Sequence, residues 1–181
     1  MVSWSRIARR SRVPLGFVFA AVYLWLADPL VISLLFGLVF ILPGLLIRAI
    51  ASGHVQKNER LAMSGPYAYT RNPLYLGSLI MAVGFAVAAR SIWIALILVI
   101  MFVAIYLPVI RAEENYLAQH FPEFAEYARR VPRLIPDPTP SGDRRGSFSW
   151  QLYRKHREYN ASLGAAAMLV ALSVKLYWNL R

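Results

Sequence analysis

The 181-residue chain is predicted to be an all-α, polytopic integral membrane protein with about five transmembrane helices, some joined as tight hairpins. Three observations carry this. The sequence is 58% hydrophobic and 16% charged, whereas soluble domains are about half apolar and a quarter charged. The apolar residues fall into five long runs separated by short polar segments. The basic residues flank those runs and concentrate on alternate connections, as they do in membrane proteins. A formal charge of +11 would otherwise suggest nucleic acid, and its placement between apolar runs argues against that. The absence of Cys excludes disulfides, thiolate metal ligands and a Cys nucleophile.

The first run is Val13 to Ala27. Arg6, Arg9, Arg10 and Arg12 precede it, as in a secretory signal, but only Asp28-Pro29 and a further span follow. It is therefore expected to be a retained helix. The second run is Leu30 to Ala51, the third Leu74 to Ala89, the fourth Ser91 to Ile110 and the fifth Ala161 to Leu180. A span needs about 20 apolar residues. The second, fourth and fifth reach that length, and the first and third are roughly 22 to 24 Å as helices. Each short run adjoins a long one across Asp28-Pro29 or Arg90. Exposed backbone is very costly in lipid, so tight hairpins are expected.

Seventeen of the 20 basic residues fall on the side holding the N-terminus, the 48–71 segment and the 111–157 segment. The positive-inside rule makes that side cytoplasmic, with the C-terminus outside. This localises the chain to a membrane: the cytoplasmic membrane in a bacterium, an endomembrane in a eukaryote. Arg48 and Lys175 lie near span ends, where long side chains can reach the interface. Ala161, Gly164 and Ala165 suit close helix packing.

Two polar segments hold most of the remaining chemistry. In the first, Ser64-Gly65-Pro66 signals a turn. Asn72 suits a helix cap and Pro73 a first helical position. Tyr67, Tyr69 and Tyr75 bring phenols to the boundary, as interfacial Tyr commonly does. The same helix start, with Arg71 beside it, is also suited to an anionic ligand group. In the second segment Arg111 and Glu114 are three apart and share a helix face. Glu113 and Glu114 then read either as a solvated surface with an Arg111–Glu114 pair, or as a site for a cationic ligand group. Phe121, Phe124 and Tyr127 form an apolar stripe, expected to be the buried face of an amphipathic helix. Arg129, Arg130 and Arg133 are expected to meet lipid phosphates or an anionic leaflet. The three His, at 54, 120 and 156, are too scattered to suggest a metal site, and no phosphate-binding glycine loop or Ser/His/Asp arrangement is present.

The stretch Ser64-Gly65-Pro66-Tyr67-Ala68-Tyr69-Thr70-Arg71-Asn72-Pro73-Leu74-Tyr75-Leu76-Gly77 resembles the SGPY…RHPxYxG signature of a family of integral-membrane methyltransferases. That family includes isoprenylcysteine carboxyl methyltransferases and phospholipid N-methyltransferases. Glu113-Glu114, Phe121-Pro122-Glu123-Phe124, Tyr127 and Val131-Pro132-Arg133-Leu134-Ile135-Pro136 follow in the family's order. The resemblance covers about residues 53 to 136. It divides the chain into an N-terminal helical hairpin (1–52), a methyltransferase-like core (53–140) with its own hairpin (74–110), a linker (141–160) and a C-terminal transmembrane helix (161–181).

The resemblance implies S-adenosylmethionine as methyl donor, held in a cytoplasmic pocket, and membrane lipids or a lipidic or hydrophobic acceptor as partner. No metal is expected, since no metal-ligand spacing is present, and no nucleic acid, given where the basic residues sit. Carried over residue by residue, the cofactor-binding positions are Glu59, Arg60, Leu61, Ala62, Tyr67, Arg71, Asn72, Pro73, Leu74, Tyr75, Glu113 and Glu114. The catalytic positions are Glu113, Glu114 and Arg111, with Arg111 toward the acceptor. Asn72 stands where the family has His, and Asn cannot accept a proton at neutral pH. Pro122 replaces a family Gly, which leaves the register of Glu113 and Glu114 open by one. Carboxyl O-methylation and amine N-methylation both fit. The alternatives are a nicotinamide-dependent membrane reductase and a non-catalytic scaffold or lipid-binding protein.

Overall fold

The computed structural model describes residues 16, 18–55, 60–139 and 147–181. Every regular element among them is helical. Residues 18–26 form α1. Then come α2 (Val31–Ser52), a 3₁₀ turn (Gly65–Ala68), α3 (Pro73–Ala89) and α4 (Ile92–Met101). A π turn (Phe102–Tyr106) leads into α5 (Leu107–His120), and α6 (Phe124–Arg130), α7 (Trp150–Lys155) and α8 (Tyr159–Asn179) complete the set. Among the described residues three helices are long and apolar enough to cross a membrane: Val31–Ser52, the continuous Ile92–His120 and Tyr159–Asn179. Pro73–Ala89, at 17 residues, is shorter. The beginning of the first apolar run, with its four Arg, lies outside the described residues.

The 29-residue helix Ile92–His120 is about 43 Å long, well beyond the ~30 Å of a hydrocarbon core. Its polar final turns extend the apolar part rather than forming a separate element. Pro108 sits just after the π turn. A proline inside a helix loses one hydrogen bond and crowds the carbonyl four residues back. Widening the preceding turn to a π geometry accommodates both effects.

The fold divides into two compact units. The first takes residues 1–41, 81–113 and 164–181; the second takes 42–80 and 114–163. The first unit has an apolar core of Tyr23, Ala27, Ala88, Ala89, Ile94 and Leu172. Its helices approach closely because neither Gly37 nor Gly84 has a side chain. A Cβ on Gly37 would stand 2.7 Å from Gly84 O, and one on Gly84 would stand 2.6 Å from Gly37 O. Small residues at such crossings allow backbone contact, a common device in membrane helices. The two hairpin turns meet. Asp28 N donates to Ala89 O at 2.9 Å. Ser33 Oγ accepts from Leu30 N at 2.9 Å, satisfying an N–H at the start of α2, and also reaches Ala88 O at 3.0 Å. Arg90 ends α3 in the left-handed region, φ 53°.

Lys175 and Arg48 depart from the expectation that they run out to the interface. Lys175 Nζ donates to Leu24 O at 2.6 Å and Trp25 O at 3.1 Å, satisfying carbonyls at the end of α1. Arg48, in the second unit, is paired with Glu158 at 2.6 Å. Ala165 is buried as expected of a packing residue, whereas a Cβ on Gly164 would meet nothing within 4 Å.

Candidate functional site: a buried carboxylate beneath the Gly-Pro turn

The second unit builds its polar centre from two loops and one helix. Gly65 adopts φ 60°, which glycine alone enters without strain, and opens the Gly65–Ala68 turn. Tyr67 N and Tyr69 N close the turn on Ser64 O and Pro66 O, both at 3.2 Å. The chain then runs beside residues 132–137. Arg71 N donates to Pro132 O at 2.9 Å, and Asp137 N to Tyr69 O at 3.0 Å. Thr70 Oγ1 lies 3.2 Å from Arg133 O and 3.1 Å from Leu134 O. Thr70 is 2% exposed, and a buried hydroxyl needs such a partner for its one hydrogen.

Glu114 joins these segments. It projects from α5 and is 6% exposed. Asn72 Nδ2 donates to Oε1 at 3.0 Å and also to Arg133 O at 3.0 Å. Arg133 Nε donates to Oε2 at 2.8 Å, and its Nη2 lies 2.8 Å from the same oxygen. Arg71 Nε lies 3.4 Å from Oε1. That nitrogen is buried and makes no hydrogen bond. The Arg71 guanidinium also stands 5.9 Å from the centre of the Phe124 ring. One buried carboxylate thus pairs with two cations, Arg71 and the half-exposed Arg133, and fixes one amide; charge-assisted bonds of this kind are strong where water is excluded.

A small apolar core supports this cluster. Phe124, Tyr127 and Val131 are buried, with Leu61, Leu117 and Phe121 packed against them. Tyr127 OH donates to Tyr67 O at 2.8 Å. Burial pushes this phenol up, with Arg71 lowering it and Glu114 raising it by smaller amounts. The hydroxyl therefore stays a donor across the physiological range. Asp137 accepts from Thr139 N and Oγ1 on the same oxygen, and these bonds hold its carboxyl below its ordinary value.

Arg71 and Asn72 meet Glu114 directly, and Arg133 joins the same carboxylate; Tyr67 is held through its carbonyl by Tyr127 in the supporting core. Pro73 is buried at the start of α3, and Leu74 and Tyr75 in its first turn are half-buried. Leu61 packs on the core, Ala62 is half-buried, and Arg60, Arg111 and Glu113 are exposed. Glu59 lies outside the described residues. Three expectations are corrected. Glu114 is not a solvated partner of Arg111; its ion partners are Arg71 and Arg133. Arg133 serves that carboxylate, and Arg130 pairs with Glu126 one turn away, so the three Arg are not one lipid-facing cluster. The aromatic stripe is not on one helix, because α5 ends at His120 and α6 begins at Phe124. Pro122 has no N–H to continue α5, and Phe121 caps the break by donating its N–H to Leu117 O at 2.9 Å.

Arg133, Thr70 and Tyr127 were not predicted as site residues. The signal for Arg133 was its place between Pro132 and Pro136, in the block matching the methyltransferase family. Nothing in the spacing ties Thr70 to a carbonyl over 60 residues away.

Residues 50–123 match the phospholipid methyltransferase family model. A stretch of 81 residues is 43% identical to a cobalt-zinc-cadmium resistance protein, CzcN, from Cupriavidus metallidurans. The same length is 41% identical to a nickel-cobalt-cadmium resistance protein, NccN, from Alcaligenes xylosoxydans xylosoxydans. Each alignment covers 45% of this chain and 38% of the relative, so well under half of either relative is represented. No solved structure matches. The Gly-Pro turn, the first turn of α3 and the Glu113-Glu114 pair all fall within the matched stretch, and residues 50–123 carry the pattern of the phospholipid methyltransferase family, a family of membrane methyltransferases.

Proposed function

We propose that the chain transfers a methyl group from S-adenosylmethionine to a lipidic or hydrophobic acceptor at the cytoplasmic face of a membrane. The observation that carries this is the Glu114 cluster. It ties Arg71 and Asn72, immediately before α3, to Arg133 from the second polar segment. Such a cluster shapes the start of α3, where the family pattern implies the donor binds. The orientation rests on the bias of the basic residues to one side.

The residues fit the donor's chemistry. It carries a carboxylate, an ammonium and a sulfonium. Arg71 has a buried Nε without a hydrogen bond, and the first N–H groups of a helix lack intrahelical partners. Together they are suited to a carboxylate. Glu113 is exposed and next to Glu114, and is assigned to the ammonium. Tyr67 and Tyr75 supply aromatic surface for adenine or sulfonium. Glu59, Arg60, Leu61 and Ala62 complete the assigned donor contacts, along with Asn72, Pro73 and Leu74. When bound, the donor supplies an activated methyl group. The chain's share is to hold donor and acceptor in line and to exclude water. A carboxylate acceptor requires no base. An amine acceptor must lose a proton, which Glu113 can take and Asn72 cannot. Arg111 is assigned to the acceptor. Glu114, already bound by three partners, is assigned to holding the site as well as to its electrostatics.

Calorimetric titration tests this. S-adenosylmethionine is expected to bind the detergent-purified chain, and Glu113→Gln or Tyr75→Ala to weaken it at least tenfold, about 1.4 kcal/mol. Binding of reduced nicotinamide alone would move the chain to the reductases. Binding of neither, by folded protein supplied with lipid, would favour a scaffold.

A further inference from the structure

Arg48 and Glu158 both lie outside residues 50–123, and the donor assignment uses neither. Arg48 sits in the last turns of the apolar α2, yet its side chain is only 22% exposed and that of Glu158 10%. Arg48 Nε donates to Glu158 Oε1 at 2.6 Å. Its Nη1 reaches Leu74 O at 3.2 Å and also Ser78 Oγ. Ser78 Oγ in turn donates to Leu74 O at 2.9 Å. Gly77 makes room for this, since a Cβ there would stand 2.6 Å from Arg48 Cγ and 2.7 Å from Gly44 O. Burying two charges is costly and is offset only by complete geometry. Ionisable groups within apolar helices are retained mainly where they act. Here the geometry ends on the first turn of α3.

The same C-terminal segment reaches the other end of the motif. Ser149 N donates to Gly53 O at 2.9 Å, and His156 Nδ1 lies 3.1 Å from Ser52 O. Both serve carbonyls at the end of α2, which lack intrahelical partners. Phe148 covers Gly53 so closely that a Cβ there would stand 2.3 Å from its ring. Phe148 also meets His54 edge-on, with ring centres 6.2 Å apart. The His54 ring in turn covers Gly65, at 2.6 Å from a Cβ placed there.

We propose that residues 147–158 brace the 65–78 segment at both ends, and that Arg48 and Glu158 are positioning residues for the donor site. Glu158 holds Arg48, and Arg48 holds the Leu74 carbonyl and Ser78. Phe148 holds His54 above the Gly65 turn. The C-terminal segment thereby belongs to the methyl-transfer machinery although it lies beyond the family pattern. This rests on the donor assignment above.

The test combines two readouts on the full chain in detergent, below every variant's unfolding temperature. One is calorimetric binding of S-adenosylmethionine. The other is amide hydrogen exchange without the donor. Glu158→Gln and Arg48→Gln are each expected to weaken binding roughly tenfold, the size expected of a small misplacement. Exchange should rise within 65–78 and not in residues 81–113. The double variant should bind no worse than either single one, because the two act as a unit. Glu158→Asp should recover part of the affinity. Unchanged affinity and unchanged exchange in both single variants would overturn the proposal. So would faster exchange throughout the chain, which marks a merely structural ion pair. Absence of donor binding by the wild-type chain would overturn the donor assignment and the positioning role with it. Exchange localised to 65–78 would then leave the brace as a structural feature alone.

Discussion

Asp28 and Arg90 in the first unit, and Glu114 and Arg133 in the second, are both carboxylate–guanidinium pairs in opposite circumstances. The first pair is 3.6 Å apart, with side chains 70% and 43% exposed. The second is 2.8 Å apart; the Arg133 side chain is 45% exposed, much as Arg90 is, but the Glu114 side chain is only 7% exposed, so it is the two carboxylates that differ. Apart from Arg90, the contacts around the Asp28 turn are neutral: a backbone bond from Asp28 to Ala89, the Ser33 hydroxyl on Ala88, and an apolar core. Around Glu114 they are charged, and each loop of the site reaches this carboxylate directly or through one neighbour. The first unit therefore uses shape to fix its helices. The second uses charge to fix its loops, which have no regular pairing of their own.

Glu114→Ala is the sharpest way to break this contrast. It strands the buried Arg71 guanidinium, while Arg133 can turn to water and Asn72 keeps its bond to Arg133 O; a buried pair that loses one partner costs about 3–5 kcal/mol. The expected result is a large fall in the thermal midpoint in detergent, or failure to accumulate folded protein. A cost no larger than that of Asp28→Ala would remove the distinction between the units. Next in size is Gly84→Ala in the first unit. Its Cβ would stand 2.6 Å from Gly37 O and 2.7 Å from Ile41 Cγ1, and overpacking of this kind costs about 1–3 kcal/mol. Gly164→Ala is the control, because nothing lies within 4 Å of its Cβ. It should leave the midpoint unchanged or raise it slightly, since Ala is the better helix former.

The helices were legible in the sequence because apolar length and interruption decide them. Asp28-Pro29 and Arg90 mark turns that the structure reproduces within a residue or two. The all-α class follows from the same runs. Crossing is a separate matter: among the described residues three helices reach the required length, and Pro73–Ala89 falls short. The Gly-Pro turn and the start of α3 at Pro73 were equally local and equally legible. What was not legible depends on partners distant in sequence. Glu114 looked like a partner of Arg111 because helix spacing is the only pairing rule a sequence displays. Its actual partners, Arg71 and Arg133, are 43 and 19 residues away. Arg48 looked like a residue reaching for the interface because Glu158, 110 residues on, could not be foreseen. Long polar side chains find their partners through tertiary structure, so their roles are the last thing a sequence yields.

Tyr127→Phe sharpens the comparison at a smaller scale. It removes the hydroxyl bond to Tyr67 O while keeping the ring in the Phe124–Val131 core. A buried carbonyl loses its donor, at a cost of about 1–2 kcal/mol. The expected outcome is a modest drop in midpoint, together with faster amide exchange in the 65–70 turn. An unchanged turn would show that the Thr70 and Arg71 bonds to residues 132–134 suffice to hold it.

The smallest effect belongs to Arg90, and its sign is informative. Arg90 occupies φ 53°, where a side chain costs about 1–2 kcal/mol. Its ion pair with Asp28 is long and exposed, and such pairs contribute about 0–1 kcal/mol. Arg90→Gly removes both the strain and the pair, and adds back some unfolded-state entropy, about 0.5–1 kcal/mol. The balance is a slight stabilisation, read as a raised thermal midpoint. Asp28→Asn, which removes only the pair, should change the midpoint by less than about 0.5 kcal/mol. If Arg90→Gly instead lowered the midpoint by several times that amount, the Asp28–Arg90 pair would be holding the two turns together. Charge would then organise the first unit as it does the second.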